Sequence, residues 1–111
     1  MSAVILYVTA PYSDVALQLA RTLVDERLIA CANILGGMTS VYRWQGQVET
    51  ADEVAMLLKT DGRRTNEVIA RVEELHPYEC PCVIEWPIAV GSADYLRWIS
   101  TESGPDENLI A

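Results

Sequence analysis

Residues 38–60 read MTSVYRWQGQVETADEVAMLLKT, a polar turn between two long strand-like stretches. The WQGQ in the middle predicts a hairpin turn, because Gly46 can adopt the positive φ angle that such turns require. The residues on its N-terminal side, ACANIL-GG-MTSVYRW (30–44), predict one strand with a bulge or bend at Gly36-Gly37. The residues on its C-terminal side, 47–60, predict the returning strand. The stretch therefore predicts an antiparallel hairpin of about 15 residues a side.

Two further strands flank the hairpin in sequence. AVILYV (3–8) is a short uncharged run rich in β-branched residues, and CVIEWPI (82–88) is a similar run near the end of the chain. Between the first strand and the hairpin, Ala16, Leu19, Ala20 and Leu23 form an apolar stripe with helical spacing. We expect this helix to be capped by Ser13 or Asp14 and to continue to about Leu28.

Two more helices are expected after the hairpin. Asp61 can cap a helix whose apolar positions are Val68, Val72 and Leu75. Pro77 ends that helix, since it lacks the backbone donor and excludes the helical conformation at the preceding residue. Ser92 is expected to cap a short third helix with the apolar residues Tyr95, Leu96, Trp98 and Ile99.

The predicted order is β-α-β-β-α-β followed by a short helix. This order is typical of the ferredoxin-like α+β fold, an antiparallel sheet with two helices on one face. The chain length of 111 residues suits a single domain. We expect that domain to span residues 1–103, with a frayed tail at 104–111.

Both faces of the predicted sheet are apolar. In the first strand Val4, Leu6 and Val8 point to one face, and Ala3, Ile5 and Tyr7 point to the other. Two crossover helices cover only one face, so burying several hundred Å² of the other would stabilise by roughly 10 kcal/mol before association costs. We therefore expect a homo-oligomer that meets through sheet faces or edges. In the alternative, the third helix and the tail cover the second face.

Composition and motifs narrow the class of protein. The formal net charge of −8 disfavours nucleic-acid binding, and no apolar run is long enough for a membrane span. The start shows no secretory signal and three cysteines cannot all pair within one chain, so we expect a cytoplasmic protein. No GxSxG, CxxC, HExxH or Gly-rich phosphate loop occurs, and we expect no enzymatic activity.

The stretch HPYECPC (76–82) contains the chain's single histidine and two of its three cysteines. Imidazole and thiolates bind soft metal ions, and residues two apart in a strand share a face. His76, Cys80 and Cys82 are therefore candidate ligands for a soft metal ion. The alternative is purely structural: a helix stop followed by the entry to a strand.

Several stretches occur together in the order and spacing of one known family. They are TAP (9–11), ACAN (30–33), GMTSVYRWQGQVE (37–49), VAMLLKT (54–60), HPYE followed by a proline (76–81) and GSADYLRWI (91–99). Over residues 4–100 the chain resembles the CutA family of divalent-cation tolerance proteins. The resemblance implies a ferredoxin-like fold, a compact homotrimer built through sheets and long hairpins, no established enzymatic activity, and binding of copper or other divalent cations.

Only some of the residues expected at the metal site match the pattern of the family. His76 occupies the histidine position of the HPYE motif, which is the residue most readily assigned to copper. Some members have a histidine before it, where this chain has Leu75, and some have a cysteine in the first strand, where this chain has Val8. Cys31 matches the family, whereas the pair Cys80 and Cys82 is outside its pattern.

A trimer would also have clefts between subunits, where small ligands often bind. Candidates to line such clefts, or simply to pack there, are Tyr42, Trp44, Glu49, Lys59, Tyr78, Glu79 and Trp98. The carboxylates of Glu49, Asp52, Glu53 and Glu79 are weaker candidates for a hard cation. Besides metal binding, two functions stay open: a small-ligand sensor like the PII signalling proteins, which the fold resembles, and a structural scaffold for partner proteins.

Overall fold

A computed structural model of the chain describes residues 2–104. The expected frayed tail therefore lies, from residue 105 onward, outside the described residues. The elements in order are β1 (Ala3–Ala10), α1 (Ser13–Asp25), β2 (Cys31–Trp44), β3 (Gln47–Asp61), a 3-10 turn (Gly62–Arg64), α2 (Thr65–Leu75), β4 (Val83–Pro87) and α3 (Ala93–Glu102).

The four strands form one antiparallel sheet in the order β2-β3-β1-β4. β1 lies inside the sheet, with Leu6 opposite Leu58 of β3 and opposite Glu85 of β4. The expected α+β fold with an antiparallel sheet is confirmed. Among residues 2–104 no helix is long and apolar enough to cross a membrane.

The hairpin of β2 and β3 has the predicted turn and the predicted bulge. Gln45 and Gly46 both have positive φ angles, 50° and 82°, the pattern of a tight two-residue hairpin turn. The strand register shifts between Leu35 and Met38, where Gly37 has a φ of 75°. The shift lets the outer half of β2 run on to Trp44 as one strand, and this half forms one wall of the site described below.

One face of the sheet carries the main core. Leu6, Val8 and Met56 are fully buried there, because α1 and α2 pack over them. The two helices contribute the apolar stripes predicted for them, except that Leu75 is 37% exposed and lies outside the core. The buried helical residues in this cluster are Ala16, Leu19, Ala20, Leu23, Val68 and Val72.

Within residues 2–104, the other face is covered at one end, by α3. Ile99 packs there against Ala3 and Ala30. Farther along the same face Ile84 and Trp86 of β4 stay about half exposed, and Trp86 stacks on Tyr7 with ring centroids 5.1 Å apart. The second apolar face predicted from the strand pattern is thus present, and α3 leaves much of it open.

Several helix and strand ends differ from the sequence-based predictions. α1 is preceded by Tyr12 without a side-chain cap, so neither Ser13 nor Asp14 has the predicted role, and α1 ends at Asp25 rather than near Leu28. The early end coincides with Arg27, whose φ of 59° is incompatible with continuing a right-handed helix. Asp61 caps the 3-10 turn instead of α2, and β4 is shorter than predicted. The predicted Ser92 cap of α3 is confirmed.

Asp61 should make the stability of the fold depend on acid pH. Burial opposes its ionisation, but hydrogen bonds from the backbone and side chain of Arg63, at 2.9 and 3.0 Å, outweigh that effect and lower its pKa. A depressed folded-state pKa gives stability that is present above the unfolded value of about 3.9 and is lost as pH falls through the folded value. Urea midpoints between pH 7 and pH 2 should therefore fall more in the native protein than in Asp61→Asn, and parallel curves would contradict this.

Candidate functional site

A cleft of about 630 Å³ lies between the outer half of the hairpin and the segment that precedes β4. This volume is within the range of small-molecule sites in proteins. The residues that line it are Thr9, Ser40, Tyr42, Trp44, Glu53, Pro77, Tyr78, Glu79, Cys80 and Cys82.

The hairpin wall follows from the alternation of a β-strand. Ser40, Tyr42 and Trp44 are two residues apart, so their side chains leave the same face of β2. Met38 is two residues before Ser40 on β2, so its side chain leaves the same face of the sheet. Glu53 of β3 lies directly opposite Met38 and therefore shares that face. Three residue types of different chemistry (hydroxyl, aromatic and carboxylate) thus share one face.

The opposite wall is fixed in place by His76. This residue is 7% exposed, its Nε2 lies 2.7 Å from the Thr9 carbonyl oxygen, and its Nδ1 accepts a 3.1 Å hydrogen bond from the Tyr78 backbone N–H. Since Nδ1 accepts a hydrogen bond, Nε2 carries the proton and donates to Thr9. Both ring nitrogens are engaged within the chain, and the histidine ties the end of α2 to the end of β1.

Tyr78 connects the two walls. Its hydroxyl donates a 2.7 Å hydrogen bond to Glu53 Oε2. Burial and the neighbouring Glu53 carboxylate raise the pKa of the Tyr78 hydroxyl well above its usual range, so that it remains a donor. This bond holds the segment after α2 against the hairpin and closes the inner end of the cleft.

Both cysteines of the CPC sequence line the cleft. Cys80 is exposed and Cys82 is partly buried, and neither is in a disulfide. Burial, with a smaller contribution from Glu53, raises the pKa of the Cys82 thiol, so its thiolate forms less readily than that of a free cysteine. Cys31 lies elsewhere, with its Sγ 3.5 Å from the Tyr95 hydroxyl.

The cleft is negative and contains few metal-binding groups close together. Within residues 2–104, no Lys or Arg lines it and neither Glu53 nor Glu79 forms an ion pair. The same part of the chain contains no group of three or more His, Cys, Asp or Glu side chains arranged to hold a metal ion. Side chains of these four types within that part of the chain therefore offer a cation two close ligands at most.

The structure brings together most, but not all, of the residues predicted for a site. Tyr42, Trp44, Tyr78, Glu79, Cys80 and Cys82 line the cleft as a group. Three other candidates, Glu49, Lys59 and Trp98, do not line it: Lys59 donates to the Tyr95 hydroxyl at 3.2 Å, and Trp98 stacks on the same tyrosine. The metal role of His76 stays a prediction, and it would require one of the two hydrogen bonds of the ring to break.

Three lining residues, Thr9, Ser40 and Pro77, were not among the sequence-based candidates for a site, although Pro77 was predicted as the helix stop. Ser40 could have been found, because it continues the period-two series of Tyr42 and Trp44. Thr9 could not, since its place depends on the turn after α2 passing the end of β1.

The fold and the cleft define a class: small α+β proteins in which a long hairpin and the segment before the last strand enclose an acidic, aromatic cleft. The chain belongs to the CutA1 divalent ion tolerance protein family, whose family model matches residues 4–102. The family is named for divalent-cation tolerance and not for an enzymatic activity.

Individual relatives agree with this assignment. The divalent-cation tolerance protein CutA of Thermus thermophilus is 43% identical over 100 residues, which cover 90% of this chain and 97% of the relative. The crystal structure of CutA from Xylella fastidiosa superposes with a TM-score of 0.90 at 40% identity, covering 94% of this chain and all of that one. A structure described as the periplasmic divalent cation tolerance protein CutA from Archaeoglobus fulgidus has a TM-score of 0.88 at 34% identity, covering 92% and 99%.

Proposed function

We propose that this chain is a ferredoxin-like subunit of a cytoplasmic homotrimer that binds divalent metal ions and copper, and that the cleft is where copper is held. The observation that carries the proposal is that Cys80 and Cys82 line one cleft together with Glu53 and Glu79. Thiolates favour Cu(I), which forms stable complexes with only two of them. A pair of thiols is thus a sufficient ligand set for Cu(I), although no larger group of ligands is formed within residues 2–104.

In this proposal His76 positions the ligands. Its bonds to Thr9 and Tyr78 hold the start of the segment that carries the two cysteines. A mobile segment loses conformational entropy when it closes around an ion. Because His76 already fixes one end of the segment that carries the two cysteines, this entropy cost is smaller and binding is stronger.

The open sheet face supports the trimer. Leu35, Ile84 and Trp86 are each about half exposed, and exposed apolar surface of this kind often marks an interface. A symmetric assembly would bury this face and bring a second subunit near the hairpin, where it could add ligands. Other divalent cations, which prefer more ligands than copper, would depend on that contribution.

The proposed compartment depends on the thiols. Cys31, Cys80 and Cys82 are all unpaired, which suits a reducing cytoplasm better than an oxidising one. One relative is described as periplasmic, so we propose a cytoplasmic location for the present chain and not for the whole family.

Anaerobic titration with Cu(I) against a competing chelator tests the copper site. The native protein should bind about one equivalent per chain, and the double variant Cys80→Ser/Cys82→Ser should lose that equivalent. The single variant Cys31→Ser is the matched control and should bind normally. Because the proton competes for a thiol whose pKa is raised, affinity should increase as pH rises from 6 to 9. Unchanged stoichiometry and affinity in the double variant would exclude these cysteines as ligands.

The size of the cleft favours one second candidate, the small-ligand sensor. A volume of about 630 Å³ between aromatic walls is more than a single metal ion requires. The scaffold role stays a prediction.

A further inference from the structure

We infer that the cleft also binds organic ammonium ions, whose positive charge is spread over alkyl groups. Such an ion would lie between aromatic rings and beside carboxylates that form no ion pair within residues 2–104.

The aromatic walls are the first observation. Tyr42 and Trp44 come from the hairpin and Tyr78 from the opposite wall, so rings stand on both sides of the space. In the single chain Tyr42 is 44% exposed and Trp44 is 40% exposed, so part of each ring is not covered by the chain's own residues. A cation over an aromatic face is attracted by the negative charge density of the ring, and cages of such rings recognise alkylated ammonium groups.

The second observation is the carboxylate at the inner end. Glu53 is only 9% exposed and is bonded to the neutral hydroxyl of Tyr78, with no basic partner in residues 2–104. A carboxylate buried to this degree is costly unless a positive charge compensates it. A cationic ligand in the cleft would supply that charge, and the exposed Glu79 adds a second negative group to the lining.

The third observation concerns the shape and ligand count of the site. A hard inorganic cation such as Ca²⁺ needs several directional oxygen ligands, and no group of three His, Cys, Asp or Glu side chains is formed in the described part of the chain. An alkylated ammonium ion is weakly hydrated and needs no directional ligand, only apolar contact and nearby negative charge. The cleft provides both and has the volume for it.

This inference does not rest on copper binding, because it uses the aromatic and carboxylate groups rather than the thiols. Its test is therefore carried out on the metal-free protein in the presence of a chelator. A failure of the copper titration would leave this result unaffected, and the reverse also holds.

The probe is choline, compared with its neutral isostere 3,3-dimethylbutan-1-ol, in calorimetry and in tryptophan fluorescence at millimolar concentrations. Choline should bind saturably and at least about tenfold more tightly than the isostere, because only the charge differs. Equal binding of the two, or no saturable binding of choline, would overturn the inference.

Variants locate the binding. Trp44→Leu and Glu53→Gln should each weaken choline binding by about tenfold. Trp44→Phe should retain most of the native affinity, because it keeps an aromatic face. Trp98→Leu is the control, since that tryptophan is similarly exposed, at 41%, but stacks on Tyr95 outside the cleft. A loss of the same size in Trp98→Leu, or none in Trp44→Leu, would contradict the assignment.

Discussion

Replacing Trp86 with glutamate should convert the proposed trimer into single chains of 12.3 kDa. Trp86 is 46% exposed on the open sheet face and stacks on Tyr7, beside the exposed Ile84. In a trimer this patch is buried, and a carboxylate placed there would lose its hydration without a partner, at a cost of several kcal/mol per subunit. Three such penalties, one in each subunit, would oppose the assembly.

Light scattering coupled to size exclusion gives the measurement. The native protein should elute with a mass of three chains, and Trp86→Glu with the mass of one. Leu17→Glu is the matched control, because Leu17 is 48% exposed but lies on α1, on the other side of the sheet. A native mass of one chain at micromolar concentration would refute the assembly and with it the proposed completion of the site by a neighbour.

The second large effect is expected at His76. Its replacement by alanine removes both ring bonds and leaves the Thr9 carbonyl and the Tyr78 N–H without their partners. A buried, unsatisfied backbone group costs about 1–3 kcal/mol, and the Tyr78 N–H is only partly buried, so we expect a loss of about 2–4 kcal/mol in the free energy of unfolding. The loss should appear in urea unfolding at fixed protein concentration. His76→Asn should lose less, because its side-chain oxygen can still accept from Tyr78.

The same variant distinguishes the two roles of this histidine. As a positioning residue, His76 can be replaced with a large loss of stability but with the copper stoichiometry unchanged, since Cys80 and Cys82 remain. If His76→Ala instead keeps its stability and loses one bound copper ion, then the imidazole is a ligand and the structural explanation is wrong.

Much of the architecture could be predicted because each element has its own local signal. The turn at Gly46, the bulge at Gly37 and the helix stop at Pro77 each depend on the backbone preferences of one residue. The helix starts were harder to predict. Ser13 and Asp61 were both plausible caps, and the 3-10 start at Asp61 depends on bonds from Arg63, two residues on, which the apolar periodicity of α2 does not reveal.

The cleft could be predicted only in part. Tyr42 and Trp44 share a strand face by simple alternation, and Cys80 and Cys82 stand out by residue type. That Glu53 meets Tyr78 depends on the register of the hairpin and on the path taken after α2, which are both tertiary properties. For the same reason, the engagement of both nitrogens of His76 could not be predicted from HPYE.

Because His76 bonds the backbone carbonyl of Thr9 and not its hydroxyl, a substitution at position 9 does not remove the acceptor of this bond. That side chain lines the cleft. Substitutions at position 9 can therefore alter ligand preference without removing the hydrogen bond that attaches the end of α2 to the sheet. Ligand specificity and the stability of this attachment can then evolve separately.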